Sequence, residues 1–592
     1  MQTLPEFLAD ALRQPRERAF AERLGAAEWR YTATEQMRRR ARAIAYALRE
    51  TGLEAGDRVG LIVNNRVDWL AADFGILFAG CVVVPIFATL ALDQVVYILG
   101  DCGAKLCFVD SRREAERIRG ACPRAPRLIH FDGEGPDSLA AFEAAGEAAA
   151  AADPARFATF TLEQTPDQLA VLIYTSGTTG HPKGVMLTHQ NLVHNAVTSA
   201  ERALSRLRAA EPVLSVLPFA HIFEHCAIFA FTNAGVELFI TQPEHLLEDL
   251  KAVRPKIMTL VPRIFERMLA AIVTRAKERG PLPARLVPWA LDVGREFATA
   301  RVERRRISLP LRAQYALARR LVLEKIPPTL GLDRLDYFVS GSAALHRDIA
   351  LTFAGLGLRI CEGYGLTETS PVITVNTFDE LRYGSVGKPI RGVEVRIAGD
   401  GEILVKGPNV MKGYYNLPGE QPFTEDGWFR TGDIGAFDED GFLFITDRKK
   451  ELIKTTAGKY VAPSRVEAAL KRSVYVGQCF IVGDNRPYPV ALVAPSWQLI
   501  RDEFEISRDI PTADLAQRDD VRAFIEREVA HHTADLGPFE QIRKVALLPR
   551  DLTIEDGELS PTLKVKRRIV ERKFAAIIDG AYAARNGTRR AG

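Results

Sequence analysis

Ten short runs in about the first 440 residues are apolar at nearly every position rather than at alternate ones. They are RVGLIVNN, CVVVPIF, KLCFVD, RLIHF, LAVLIYTSG, PVLSVLP, ELFIT, KIMTLVP, LDYFVSG and GLRICEGYG. A strand written this way is covered on both faces, which is the situation of a parallel strand sandwiched between helices. Amphipathic helical patterns such as residues 66–78 and 191–203 fill the gaps. The alternation predicts an α/β protein with mostly parallel sheets in more than one layered unit. A chain of 592 residues is too long for one core. Hydrophobic residues at 47% and charged residues at 26% exclude disordered and fibrous classes. The net charge of +3 gives no global reason to bind nucleic acid.

Between Asp73 and Asp93 no residue is charged, a length near that of a spanning helix. Gly80 and Pro85 punctuate the stretch, so it reads as a buried helix ending near Gly80 followed by a buried strand. Seven cysteines form no CxxC and no metal-ligand spacing, which suits a reducing compartment. The N-terminus lacks the apolar core of a signal peptide. Ala-rich residues 140–157 read as a surface connection or short helix. Residues 276–333 read as helical, and are basic around ARVERRRISLPLRAQYALARRLVLEK. After about residue 384, alternating runs with Gly-rich turns predict β-hairpins. Beyond residue 447 a charged mixture predicts a small α+β domain.

The densest chemistry is YTSGTTGHPKGV at residues 174–185. An apolar strand runs into a loop crowded with Thr175, Ser176, Gly177, Thr178, Thr179, Gly180 and Lys183. Glycines let the backbone present N–H groups, hydroxyls add donors, and the lysine adds positive charge, which is what a polyphosphate needs. Pro182 before the lysine and Gly184 after it exclude a P-loop.

This segment resembles the signature of the adenylate-forming enzymes. The resemblance runs from about residue 4 to residue 576, carried by further motifs in the same order: GSAAL (341–345), EGYGLTET (362–369), GSVGKP, WFRTGD (428–433), DRKKELIKTTAGKYVAP (447–463) and SPTLKVKRR (560–568). VPRIFERM with the helical insert after it, and LPFAHIFEH, resemble long-chain fatty acyl-CoA synthetases.

The resemblance implies a large N-terminal AMP-binding domain, residues 1–447, and a small mobile C-terminal domain, residues 448–592, hinged at Lys450. It implies an ATP site built from the phosphate loop with Gly363, Tyr364, Gly365 and Thr367, where Tyr364 stacks on adenine. Asp433 and Arg448 would hold the ribose, and Thr178 and Glu368 would serve Mg²⁺. Lys564 would be the adenylation lysine, with Lys566 its rival. His221, Gly341, Ser342 and Gly458 would line the acyl and CoA pocket, with Glu224 and His225 as neighbours of weaker claim.

The implied reaction is activation of a long-chain fatty acid by ATP to acyl-AMP, then transfer to CoA. The reading is a cytoplasmic enzyme whose acid substrate partitions into bilayers, with the basic residues 301–325 either a solvated helical face or a contact with the inner face of the membrane, two readings that the sequence leaves open. The residues leave open a carrier-protein acceptor, a luciferase-like oxidase and a non-catalytic nucleotide-binding protein, as well as the oligomeric state.

Overall fold

The computed structural model describes residues 2–175, 181–449, 453–456, 460–559 and 565–583. All ten apolar runs are strands. Six parallel strands form the heart of a nine-stranded sheet: Phe20–Gly25, Glu237–Ile240, Pro212–Ser215, Ile257–Leu260, Tyr337–Ser340 and Arg359–Gly365. Antiparallel strands close both edges. A seven-stranded sheet holds five parallel strands: Leu169–Thr175, Val82–Pro85, Arg58–Ile62, Leu106–Val109 and Arg127–His130. The contiguous apolar writing follows from helices on both faces of these sheets, so that Val82–Pro85, Leu106–Val109 and Tyr337–Ser340 are buried at every position.

The uncharged stretch after Asp73 divides as expected into the helix Val67–Phe78 and the strand Val82–Pro85, with Gly80 at φ +74 between them. Among the described residues no helix is long and apolar enough to cross a membrane. The Ala-rich segment is more than a connection. It forms a 14-residue helix, Leu139–Ala152, whose Leu139 and Phe142 are buried. Its Glu143 pairs at 2.8 Å with Arg40 of the helix Thr34–Glu50. All seven cysteines are buried and free.

The helical insert is the series Pro262–Glu278, Pro281–Val302 and Leu309–Leu321. It packs on the nine-stranded sheet around edge-to-face rings of Phe265, Phe338 and Phe353, with centroids 5.2–5.9 Å apart. The hairpin-rich region gives the strands Glu394–Ile397, Glu402–Lys406, Phe429–Phe437 and Leu443–Arg448, neighbours in that order in a four-stranded sheet.

The chain divides into two compact units. One holds residues 1–396, 404–431 and 437–444, and the other holds 397–403, 432–436 and 445–592. In the second, a three-stranded sheet (Val476–Val482, Val490–Pro495, Lys544–Leu547) is covered on one face by the helices Pro463–Leu470 and Asp519–Thr533 and on the other by Arg567–Lys573 and Ala575–Ala583.

Candidate functional site

The strand Leu169–Thr175 pairs antiparallel with the strand Lys183–Thr188, the two elements that flank the hydroxyl-rich segment in the sequence. Register places Lys183 opposite Thr175 and Gly184 opposite Tyr174. Tyr174 is anchored from behind, its hydroxyl donating to Asp101 at 2.5 Å. Ser176, Gly177, Thr178, Thr179 and Gly180 lie outside the described residues, as do Lys450, Gly458 and Lys564.

The EGYGLTET motif begins on the last strand of the parallel series. Arg359–Gly365 carries Gly363, Tyr364 and Gly365, and Tyr364 faces Thr374 across an antiparallel pair with a bulge before Gly365. The bulge brings the chain so close to its neighbour that a Cβ on Gly365 would sit 1.7 Å from the carbonyl oxygen of Pro371. A short 3₁₀ turn, Thr367–Thr369, follows and presents Glu368.

Lys183 and Glu368 meet through Tyr414. The Tyr414 hydroxyl donates to Glu368 Oε1 at 2.9 Å, and the Lys183 ammonium lies 5.4 Å from the centre of the Tyr414 ring. Burial, reinforced by the Glu368 charge, pushes the Tyr414 phenol above its ordinary range, so it stays a donor. Lys183 also pairs with Glu420, which is 41% exposed. An exposed partner of that kind holds a cation weakly, so an arriving phosphate can displace it. The cluster offers one cation for phosphate and one carboxylate for a metal. Mg²⁺ suits such a site, because it takes one or two carboxylates and fills the rest of its shell from water and substrate phosphate. Among the described residues no group of three or more His, Cys, Asp or Glu side chains forms a cage.

Two buried asparagines hold the turn that aims Glu368. The Asn195 and Asn409 amides each donate to the carbonyl oxygens of both Thr369 and Val372, at 2.8–3.2 Å. Met411 N–H donates to Glu368 O at 2.8 Å. Neither asparagine is marked in the sequence. Asn195 sits on an ordinary amphipathic helix, and only its full burial identifies it.

Glu362 is buried at the head of the same motif, with the backbone N–H groups of Leu345 and Gly384 directed at it. It thus ties GSAAL and the GSVGKP segment to the Tyr364 strand. Burial raises its carboxyl from 4.5 to about 8, and the two N–H groups pull the other way. A carboxyl raised on folding stabilises the native state fully below its unfolded value, and that contribution fades as pH rises through the folded value. Relative to Glu362→Gln, the wild type is therefore expected to lose on the order of 3 kcal/mol between pH 5 and 8. Denaturant titrations of both proteins across that range test this. A constant difference would return Glu362 to the ordinary carboxylate range.

Asp433 and Arg448 form their own pair in the second unit, Nε to Oδ1 at 2.9 Å, with the Asp433 side chain buried. Beside them Lys449, which sequence reasoning passed over, bridges Asp400 and Glu402 at 2.6 and 2.9 Å. Its N–H donates to Gly432 O.

His221 caps the helix Ile222–Ala234, its Nδ1 accepting from Phe223 N–H at 3.2 Å. The Phe223 ring lies where a Cβ on Gly341 would come within 3.2 Å of it, so GSAAL and LPFAHIFEH converge there. Ser342 follows at φ +69. Glu224 and His225 belong to the core. Glu224 accepts from Ser215 and from Thr259 (2.8 Å), joining two strands, and burial raises its carboxyl to about 7. His225 Nε2 lies 3.1 Å from both Asp73 oxygens, all fully buried.

The motifs and this geometry agree with comparisons to known proteins. Residues 7–415 match the profile of the AMP-binding enzyme family, and residues 450–586 match its C-terminal domain. The long-chain-fatty-acid–CoA ligase FadD15 of Mycobacterium tuberculosis is 37% identical over 551 residues, covering 91% of this chain and 90% of that one. Human long-chain-fatty-acid–CoA ligase 1 is 31% identical, covering 89% and 78%. The ATP-bound structure of MatB from Rhodopseudomonas palustris superposes with a TM-score of 0.71 at 25% identity, covering 98% of this chain and all of the other. The chain belongs to the AMP-binding enzyme family, as a relative of the long-chain-fatty-acid–CoA ligases.

Proposed function

We propose that this protein is an AMP-forming long-chain fatty acid–CoA ligase. The observation that carries the reading is the convergence of Lys183 and Glu368 on Tyr414, one cation and one carboxylate at the end of the strand pair that flanks the hydroxyl-rich segment. The length over which the chain matches ligases of that name supports it.

In the first half-reaction a carboxylate oxygen of the acid attacks the α-phosphorus of ATP. The new O–P bond replaces the bond to pyrophosphate, giving acyl-AMP. Lys183 draws the phosphates onto the hydroxyl-rich segment, Tyr364 supports the adenine, and Asp433 with Arg448 takes the ribose hydroxyls. Mg²⁺, held by Glu368 and Thr178, would neutralise phosphate charge when bound. Lys564 places a second cation where the acid and the α-phosphate meet. In the second half-reaction the CoA thiol gives up its proton to water and attacks the acyl carbonyl, the new C–S bond replaces the bond to AMP, and AMP leaves with the electron pair. The division at residues 447/448, with Lys450 as pivot, lets the C-terminal domain serve both steps. His221, Gly341, Ser342 and Gly458 flank the acyl chain and the thiol. The enzyme works in the cytoplasm against the inner face of the membrane, where its substrate partitions.

Pyrophosphate release with ATP and Mg²⁺ across acids from acetate to oleate, with and without CoA, is the test. Release driven by long acids and raised by CoA is expected. A burst indifferent to CoA would move the acceptor to a carrier protein, and acetate outperforming palmitate would remove the long-chain assignment.

A further inference from the structure

Eleven large apolar side chains are exposed among the described residues, and five of them fall between residues 282 and 321: Leu282, Val302, Leu309, Leu317 and Leu321. An even spread over the chain would put about one there. The same region is strongly basic. Residues 301–325 hold eight Arg or Lys against two Glu, a net of +6 where the whole chain has +3.

The helix Leu309–Leu321 shows how the two features combine. It is fastened to the protein by one stripe, Leu311, Tyr315 and Ala318. The Tyr315 ring stacks on Phe297 at 3.8 Å. At about 3.6 residues per turn the face opposite that stripe carries Leu309, Ala313, Ala316, Leu317 and Arg320. Leu309 is 79% exposed and Leu317 is 51% exposed. A helix resting on a protein and facing water normally turns polar residues outward. This one turns leucine and alanine outward and rims them with arginine. Arg304, Arg306, Arg312 and Arg320 make no ion pair among the described residues, whereas Arg305 and Arg319 are paired with Glu303 and Glu324.

We propose that this outward face, with the basic turn before it, docks on an anionic lipid bilayer. Leucines entering the headgroup boundary gain apolar burial, and arginines around them meet lipid phosphates while their stems lie along the acyl boundary. Each basic side chain near an anionic surface adds attraction that salt screens. A protein partner would be met by a face with acidic residues on the other side. Here Arg304, Arg306, Arg312 and Arg320 keep their charge uncommitted to any ion pair among the described residues, beside exposed leucines, which matches a surface of lipid phosphates. The surface deepens the membrane-facing reading above by naming the residues that make the contact.

Sedimentation of the full chain with vesicles tests this, using phosphatidylcholine alone and phosphatidylcholine mixed with phosphatidylglycerol. Binding is expected to require the anionic lipid and to weaken with salt. Leu309→Glu with Leu317→Glu, and separately Arg306→Glu with Arg312→Glu and Arg320→Glu, are each expected to lower the partition coefficient by about tenfold or more. Pyrophosphate release from a water-soluble medium-chain acid should be unchanged in both variants, which also reports that they fold. Equal binding to neutral and anionic vesicles, or wild-type binding by the leucine variant, would overturn the proposal. So would a leucine variant that binds normally but dissociates a dimer, since the face would then join two copies. Leucine-dependent vesicle binding by a protein that releases no pyrophosphate would sink the ligase reading and uphold this one.

Discussion

Lys564→Ala is expected to lower acyl-AMP formation by two to three orders of magnitude, about the loss seen when one preorganised transition-state charge is removed. The same variant should convert supplied acyl-AMP and CoA to thioester at nearly the wild-type rate. The asymmetry follows from the charges in each step. In adenylation a carboxylate must approach a phosphorus whose oxygens are already negative, and charge builds on the leaving pyrophosphate. Lys183 is committed to the strand pair, where register fixes it opposite Thr175. A second cation at the α-phosphate is needed, and the proposed mechanism assigns it to Lys564 of SPTLKVKRR. In thioester formation the nucleophile is a thiol attacking a carbonyl that AMP already activates, so that cation has little to do there. Quenched-flow measurement of both half-reactions in one preparation decides the matter. Equal losses in both would mean that Lys564 supports the fold or the pivot. Loss of adenylation from Lys566→Ala, with Lys564→Ala intact, would move the role two residues on.

The parallel sheets were legible because a strand buried on both faces has to be written as a contiguous apolar run, and Val82–Pro85 and Leu106–Val109 are buried at every position. The strand Phe20–Gly25 was not legible. It carries Glu22 and Arg23 and is only half covered, yet it pairs with Glu237–Ile240 in the same sheet. Lys183–Thr188 was hidden for another reason, since the chemistry of its loop drew attention from its β-branched continuation. At the candidate site, Lys183, Tyr364 and Glu368 announced themselves through motifs, but their arrangement did not. Tyr414 reaches Glu368 across 46 residues of sequence, and Asn195 reaches Thr369 across 174. Contacts of that span leave no periodicity and no local composition to read. An asparagine at a helix position looks like a solvated side chain until burial shows its amide spent on two carbonyls. The same limit applied to His225 and Glu224. Their place in a motif was visible, and their withdrawal into the core with Asp73, Ser215 and Thr259 was not.

Gly365→Ala is expected to weaken nucleotide binding by about 100-fold and to destabilise the protein by about 3 kcal/mol or more. Its backbone needs no left-handed conformation, so the effect is one of space alone. The added methyl would lie 1.7 Å from Pro371 O, 2.7 Å from Pro371 C and 3.2 Å from Val372 Cα. These are backbone atoms, and Val372 is held on the other side by the two asparagines. No flexible side-chain tip is available to yield, so the pair of strands must part by an ångström or more. That displacement falls on the turn between Tyr364 and Glu368. A shift of about 1 Å in positioning groups is enough to cost two orders of magnitude. Gly100→Ala is the control. It lies in the helix Leu92–Asp101 with nothing within 4 Å of the new methyl. There the substitution should stabilise by up to about 1 kcal/mol through helix propensity. Thermal melts and calorimetric titration with AMP distinguish the two sites. Wild-type AMP affinity in Gly365→Ala would mean that the bulge yields without moving Tyr364 and Glu368, and that the close approach is a matter of packing rather than of aiming the nucleotide site.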